Sequence, residues 1–197
     1  MRAVRTQKAV AALGIVVLVV AAFLTTLKVL DYLKGNVIQI NEPTYNAASL
    51  PHVSSGQILD FSNGQNRSAL LSGWSNAEPL AVWSEGHNAF MGFVVNIGAG
   101  TNAPKYATVR AMPYLVPGKL DAQRVEIWSG GKKLAEYDLK NQDSVFKVPL
   151  DSISISDGTP VIFGLYLPDA SVPAKIETNH GDPRMLGLYL KSLQLMQ

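Results

Sequence analysis

Cysteine is absent from this 197-residue chain, which excludes disulfides and thiolate metal sites and leaves the redox state of its compartment undetermined. Charge is also scarce: Asp, Glu, Lys and Arg make up 16% of the residues, and the formal net charge is only +2. Part of that basic excess, Arg2, Arg5 and Lys8, sits at the extreme N-terminus, so no broad basic face exists to neutralise a run of phosphates. A nucleic-acid partner is therefore not expected. There are 3 histidines, His52, His87 and His180, scattered without metal-ligand spacing, and no cofactor or metal is implied. Neither a G-x-S-x-G elbow nor an E-x-D-x-E pattern is present, so a serine nucleophile or a strand-borne carboxylate pair has no motif to stand on. Helical periodicity is nearly missing after residue 35, and no repeat of propeller or solenoid period occurs.

What is present begins with an apolar run. Residues 9–27, AVAALGIVVLVVAAFLTTL, carry no charge, and at 1.5 Å per residue they are long enough to cross a hydrocarbon core of roughly 30 Å. Three basic residues precede the run, against Lys28, Asp31 and Lys34 after it, so the basic end is expected in the cytoplasm and the rest of the chain outside it. The competing reading is a cleaved signal peptide ending near Ala21 and Ala22; the run is long for that and lacks a clean small-x-small end. The expected organisation is a basic tip and transmembrane anchor helix over residues 1–34, a linker with one short strand over 35–55, and an extracytoplasmic domain over 56–197. The expected location is the cytoplasmic membrane, single-pass, with the C-terminal domain periplasmic or extracellular.

From residue 56 the texture changes to short alternating runs rich in Val, Ile, Phe, Tyr and Leu, divided by Gly, Pro, Asn and Asp. Strands are predicted at 57–62, 80–83, 89–97, 106–115, 123–129, 132–138, 145–150, 161–167, 175–177 and 186–196. Gly130 and Gly131 supply the positive φ of a tight hairpin turn. The alternation around them sends Val125, Ile127, Leu134 and Tyr137 toward a core and Arg124, Glu126, Lys133 and Glu136 toward water. The phase of the last strand changes at Lys191 and Ser192, which predicts a bulge. The fold class is all-β: a two-sheet antiparallel sandwich in jelly-roll or Greek-key order, of the kind carbohydrate-binding modules use, preceded by one transmembrane helix.

Residues 67–92, RSALLSGWSNAEPLAVWSEGHNAFMG, concentrate the aromatic and acidic side chains. An exposed indole stacks on the C–H face of a sugar ring with little loss of conformational freedom, so Trp74 and Trp128, with Ser75 and Asn76 beside the first, are candidate ligand-binding residues. Trp83, in an apolar run, is expected to be a strut. Glu78, Glu85 and Asp182 are the acids a glycan hydrolase would draw on, but they are better placed as partners for Arg184, whose guanidinium can take a carboxylate bidentately.

The two ends of the domain together resemble a group of bacterial envelope β-sandwich domains. The resemblance rests on G-W-S-x-x-E-x-x-x-x-W-S-x-G at residues 73–86 and D-x-R-x-L-G-L at residues 182–188. One departure is Ala81-Val82, where the pattern has a glycine before the apolar residue. Such domains occur beyond membrane spans in proteins of cell-surface polysaccharide assembly, including glycosyltransferase-like ones. The resemblance covers roughly residues 56–197 and implies that Gly73, Trp74, Ser75, Glu78, Trp83, Ser84, Gly86, Asp182, Arg184 and Gly187 are signature positions, without assigning a catalytic role to any. The expectation is a membrane-anchored, non-catalytic module that binds a glycan or lipid-linked sugar. A structural partner of a membrane glycosyltransferase or polysaccharide synthase is the alternative, and a carboxylate-based hydrolase the third reading.

Overall fold

Alternating side chains between Gly, Pro and Asn punctuation produce strands, and the computed structural model shows eleven among the described residues. It describes residues 40–179 and 181–197. The run at 9–27, where the anchor is expected, and His180 lie outside the described residues. Among the described residues no helix is long and apolar enough to cross a membrane.

In chain order the strands are β1 (His52–Ser54), β2 (Ile58–Asp60), β3 (Leu70–Ser72), β4 (Val82–Glu85), β5 (Asn88–Asn96), β6 (Tyr106–Pro113), β7 (Gln123–Ser129), β8 (Lys132–Leu139), β9 (Ser144–Pro149), β10 (Pro160–Tyr166) and β11 (Leu186–Met196). They build two sheets. The first runs β1-β5-β10-β7-β8, with β3 also pairing β5; the second runs β2-β11-β6-β9, with β4 also pairing β11. The pairings are antiparallel except that of β1 with β5, so the first sheet is mixed where two antiparallel sheets are expected.

The sheets close on one core. The first contributes Met91, Phe93, Ile127 and Phe163 and the second Leu59, Leu188, Leu190, Leu193 and Leu195, each at most 1% exposed. Burying a side chain of this size contributes roughly 1.5–3 kcal/mol, which makes this layer the main source of stability. The bulge expected in the last strand is present: the β11–β6 register slips between Leu190 and Ser192. Gly130 and Gly131 take φ of +54° and +74°, as the β7–β8 turn demands.

Three expectations are corrected. Residues 41–55 are not merely a connection, because they supply β1 and Leu50, which is 3% exposed. Leu50 packs on Phe90, Val94 and Ile162, with Ile40 and Leu71 beside it, over the outer face of the first sheet. Covered on both faces, β5 reads as a continuous apolar run rather than an alternating one. The strand predicted at 175–177 is instead a short helix, α1 (Pro173–Ile176), opened by a proline whose missing N–H costs nothing at a first turn. Glu126, expected in water, is 5% exposed, because the Trp128 indole and Lys133 close over it.

On the outer face of the second sheet, Asp143 accepts from Arg110 at 2.5 and 3.1 Å and from Lys191 at 3.1 Å. The hydrogen bonds from these two cations hold its carboxyl down at about 2. A depressed carboxylate stabilises the fold above its ordinary range and loses that contribution as pH falls through the folded value. The carboxyl resonance of Asp143 should titrate near pH 2, and in Arg110→Met the midpoint should rise toward the ordinary range around 3.9. An unmoved midpoint would show that the pairing is not populated in solution.

Candidate functional site

The stretch from Leu70 to Glu85 changes sheets. Residues of β3 pair with β5 in the first sheet, while Trp74, two residues on, bridges Ser84 of β4 in the second. Gly73 is the corner. Its φ is +76°, and a Cβ there would stand 2.1 Å from the Asn88 carbonyl oxygen and 2.8 Å from the Ala89 Cα. The close approach carries Trp74 into the core, where it is 8% exposed and its Nε1 donates to the Phe90 carbonyl at 2.7 Å. A ring this buried leaves too little open surface to serve as a stacking platform. Ser75 is withdrawn as well. It is 4% exposed, its N–H donates to the Trp83 carbonyl, and its hydroxyl accepts from Trp83 N–H and donates to the Asn76 carbonyl. Of that expected trio only Asn76 is exposed.

The positions shared by the two sequence patterns meet along β4 and β11. The β4–β11 register slips between Leu186 and Tyr189, and the Leu188 N–H is satisfied there by the buried hydroxyl of Ser84 at 2.8 Å. Gly187 leaves room for Leu167 and for that same hydroxyl, and Gly86 N–H donates to the Met185 carbonyl. Arg184 donates through Nε and Nη2 to Asp182, the latter at 2.6 Å, while its Nη1 lies 3.5 Å from Glu78 and 3.9 Å from Glu85. The acids a hydrolase would use thus converge on one guanidinium. Asp182, more than the two glutamates, is its bidentate partner.

Trp83 lies on the outer side of this joint, half-buried, with Tyr189 tilted against it at 4.7 Å between centroids and Tyr114 edge-on at 6.2 Å. Tyr114 donates to Glu177; burial first, and then that carboxylate, raise its pKa far above the usual phenol value. Burial likewise raises Tyr189, with Glu78 adding to it. Neither tyrosine stood out in the sequence, although the alternation LGLYL places Tyr189 opposite the core leucines. No sequence signal points to Tyr114, which reaches Trp83 from the loop after β6.

Trp128 sits differently. Val125 and Ile127 face the core, and Trp128 projects from the other side of β7, half-buried, with Nε1 donating at 3.1 Å to buried Glu126. Its cross-strand neighbour on β10 is Gly164, which has no side chain, and the neighbour of Glu126 is Tyr166. Arg124, Lys133 and Glu136 complete this outer surface; Lys133 pairs with Glu136 at 2.6 Å, and the buried Arg124 Nε has no hydrogen-bond partner among the described residues. Ile40 fills the space beside Gly164, and Glu42 accepts from Gly130 N–H at 3.0 Å, so the chain before β1 lies along one border of the indole's surface. Among the described residues no cluster of His, Asp and Glu is arranged to hold a metal ion. His52 pairs with Asn96, and His87 with the Leu167 carbonyl.

No family model matches the chain, and no curated protein is similar to it in sequence. Solved structures resemble it distantly. An acetyl xylan esterase from the rumen bacterium Butyrivibrio proteoclasticus aligns at 13% identity over 71% of this chain and 32% of its own, with a TM-score of 0.45. The CBM36-1 domain of a multidomain xylanase from the hindgut metagenome of Trinervitermes trinervoides aligns at 13% identity over 70% of this chain and 93% of its own, with a TM-score of 0.37. The CBM51 module of a Clostridium perfringens protein, solved with methyl-galactose, gives 12% identity over 72% and 89% of the two chains, with a TM-score of 0.32. At these values the similarities assign neither a family nor a ligand to this chain.

Proposed function

We propose that this chain is a membrane-anchored, extracytoplasmic module that binds a glycan or lipid-linked sugar in cell-envelope polysaccharide assembly, without catalysing a reaction itself. In this reading the run at 9–27 is the anchor, the sandwich is of jelly-roll type, and the resemblance to envelope sandwich domains describes its kin. The observation that carries the binding is Trp128: a half-buried indole on the outer side of β7, its N–H already engaged by buried Glu126. Fixing the ring before the ligand arrives lowers the entropy lost on stacking. Arg124, Lys133 and Glu136 beside it supply hydrogen-bonding groups for hydroxyls.

Trp128→Ala should weaken retention on the preferred envelope polysaccharide about tenfold, the equivalent of about 1.4 kcal/mol. Because the ring is only half-buried, the melting temperature should move by only a few degrees. Unchanged retention across a panel of envelope polysaccharides would sink the reading. A second reading, a partner subunit of a membrane glycosyltransferase or synthase, is favoured by Leu80, which is 70% exposed beside the Trp83 cluster. A stoichiometric membrane partner that co-purifies with the full chain and is lost in Leu80→Asp, but not in Trp128→Ala, would select it.

A further inference from the structure

We propose that the cleft below the β7–β8 hairpin is a site for a phosphate group, separate from the Trp128 surface. The cleft measures about 290 Å³, with Ile153 and Val161 as its apolar floor and Ser129, Ser152, Ser154 and Lys132 around it. Its charge sets it apart. The cleft between β8 and β9 is lined by Asp138 and Asp143 as well as by lysines, and the one beside α1 by Glu177 as well as Lys119. Here the lining itself holds one cation and no carboxylate, and Glu42, which accepts from the lining Gly130 N–H at 3.0 Å, is the acid at its edge.

Among the described residues the Lys132 ammonium is held by the Ser152 carbonyl alone, at 3.3 Å, and forms no ion pair. An ammonium carries three donors, so one weak contact leaves charge and donors for an incoming anion. Ser129 is 8% exposed and alternates with Trp128 along β7, which turns it away from the outer face and into the cleft. The three serine hydroxyls are neutral donors. A phosphate, with acceptor oxygens in several directions, can take hydroxyls and an ammonium together, whereas a neutral sugar leaves the lysine charge unanswered.

The test uses the isotope-labelled full chain in detergent micelles, titrated with inorganic phosphate, glucose 1-phosphate and, as the neutral control, glucose. Phosphate should shift the amide resonances of Ser129, Ser152 and Ser154, and glucose should not. Lys132→Met should weaken phosphate binding roughly tenfold or more, with Ser129→Ala weakening it less. Tighter binding of glucose 1-phosphate would identify a sugar-borne phosphate, and equal binding the phosphate group alone; both support the site. Lys132 is exposed, so a melting curve unchanged in Lys132→Met certifies the fold. Phosphate that shifts none of these amides, or binds Lys132→Met as well as the parent, overturns the proposal. The proposed glycan binding is read separately, since Lys132→Met should retain neutral polysaccharide and Trp128→Ala should keep its phosphate shifts.

Discussion

Gly73→Ala should destabilise the domain by more than about 4 kcal/mol, a loss reserved for substitutions the fold cannot accommodate. Two effects add. A left-handed backbone with φ of +76° costs an alanine roughly 1–2 kcal/mol. The greater effect is steric: the new Cβ would lie 2.1 Å from the Asn88 carbonyl oxygen. The obstruction is backbone, held in register by the pairing of β5 with β10, so it cannot rotate away as a side chain would. Gly86→Ala is the internal control. Its φ is +84°, but nothing lies within 4 Å of its Cβ position, so only the backbone strain applies. Denaturant unfolding of the two variants should differ by several kcal/mol, and equal losses would show that the corner relaxes more readily than its geometry implies.

Trp74→Ala should cost about 3–5 kcal/mol, the range for truncating a buried aromatic, and lower the melting temperature by on the order of 10 °C. The indole fills the end of the core where the chain crosses between sheets, and it satisfies the Phe90 carbonyl at 2.7 Å. Trp74→Phe separates the two roles. It keeps most of the volume but leaves that buried carbonyl without its donor, so about 1–3 kcal/mol of loss should remain. Glycan retention per folded molecule should not change in either variant. A Trp74→Ala protein that melts like the parent would contradict the burial, and one that is fully folded yet loses the ligand would return Trp74 to the binding surface.

These two residues also show where sequence reasoning reaches its limit. Strand positions were legible because side-chain alternation and turn residues are local: the β7–β8 hairpin, its two glycines and the bulge in β11 all follow from neighbours within a few positions. Arg184 meeting the acids of residues 73–86 was legible from charge chemistry, although Asp182, two residues away, takes the bidentate contact. β1 and β3 were not legible. Each is three residues long, and each exists because β5 offers an edge supplied from elsewhere in the chain. Glu126 was misplaced because alternation reports which side of a strand a residue occupies, not what later folds over that side.

Composition and periodicity by themselves determined a mostly β, two-sheet core and the absence of disulfides. These are properties of residue type and short spacing. Only the tertiary structure decided the fate of the three tryptophans. Trp74 is buried by a sheet crossing at Gly73, Trp83 is packed between tyrosines from the loop after β6 and from β11, and Trp128 is left half-buried above a buried glutamate. An indole is amphipathic enough to serve in any of these places. Which place it takes depends on contacts 16 to more than 100 residues apart, as in Trp74 with Phe90 and Trp83 with Tyr189, and no local pattern records them.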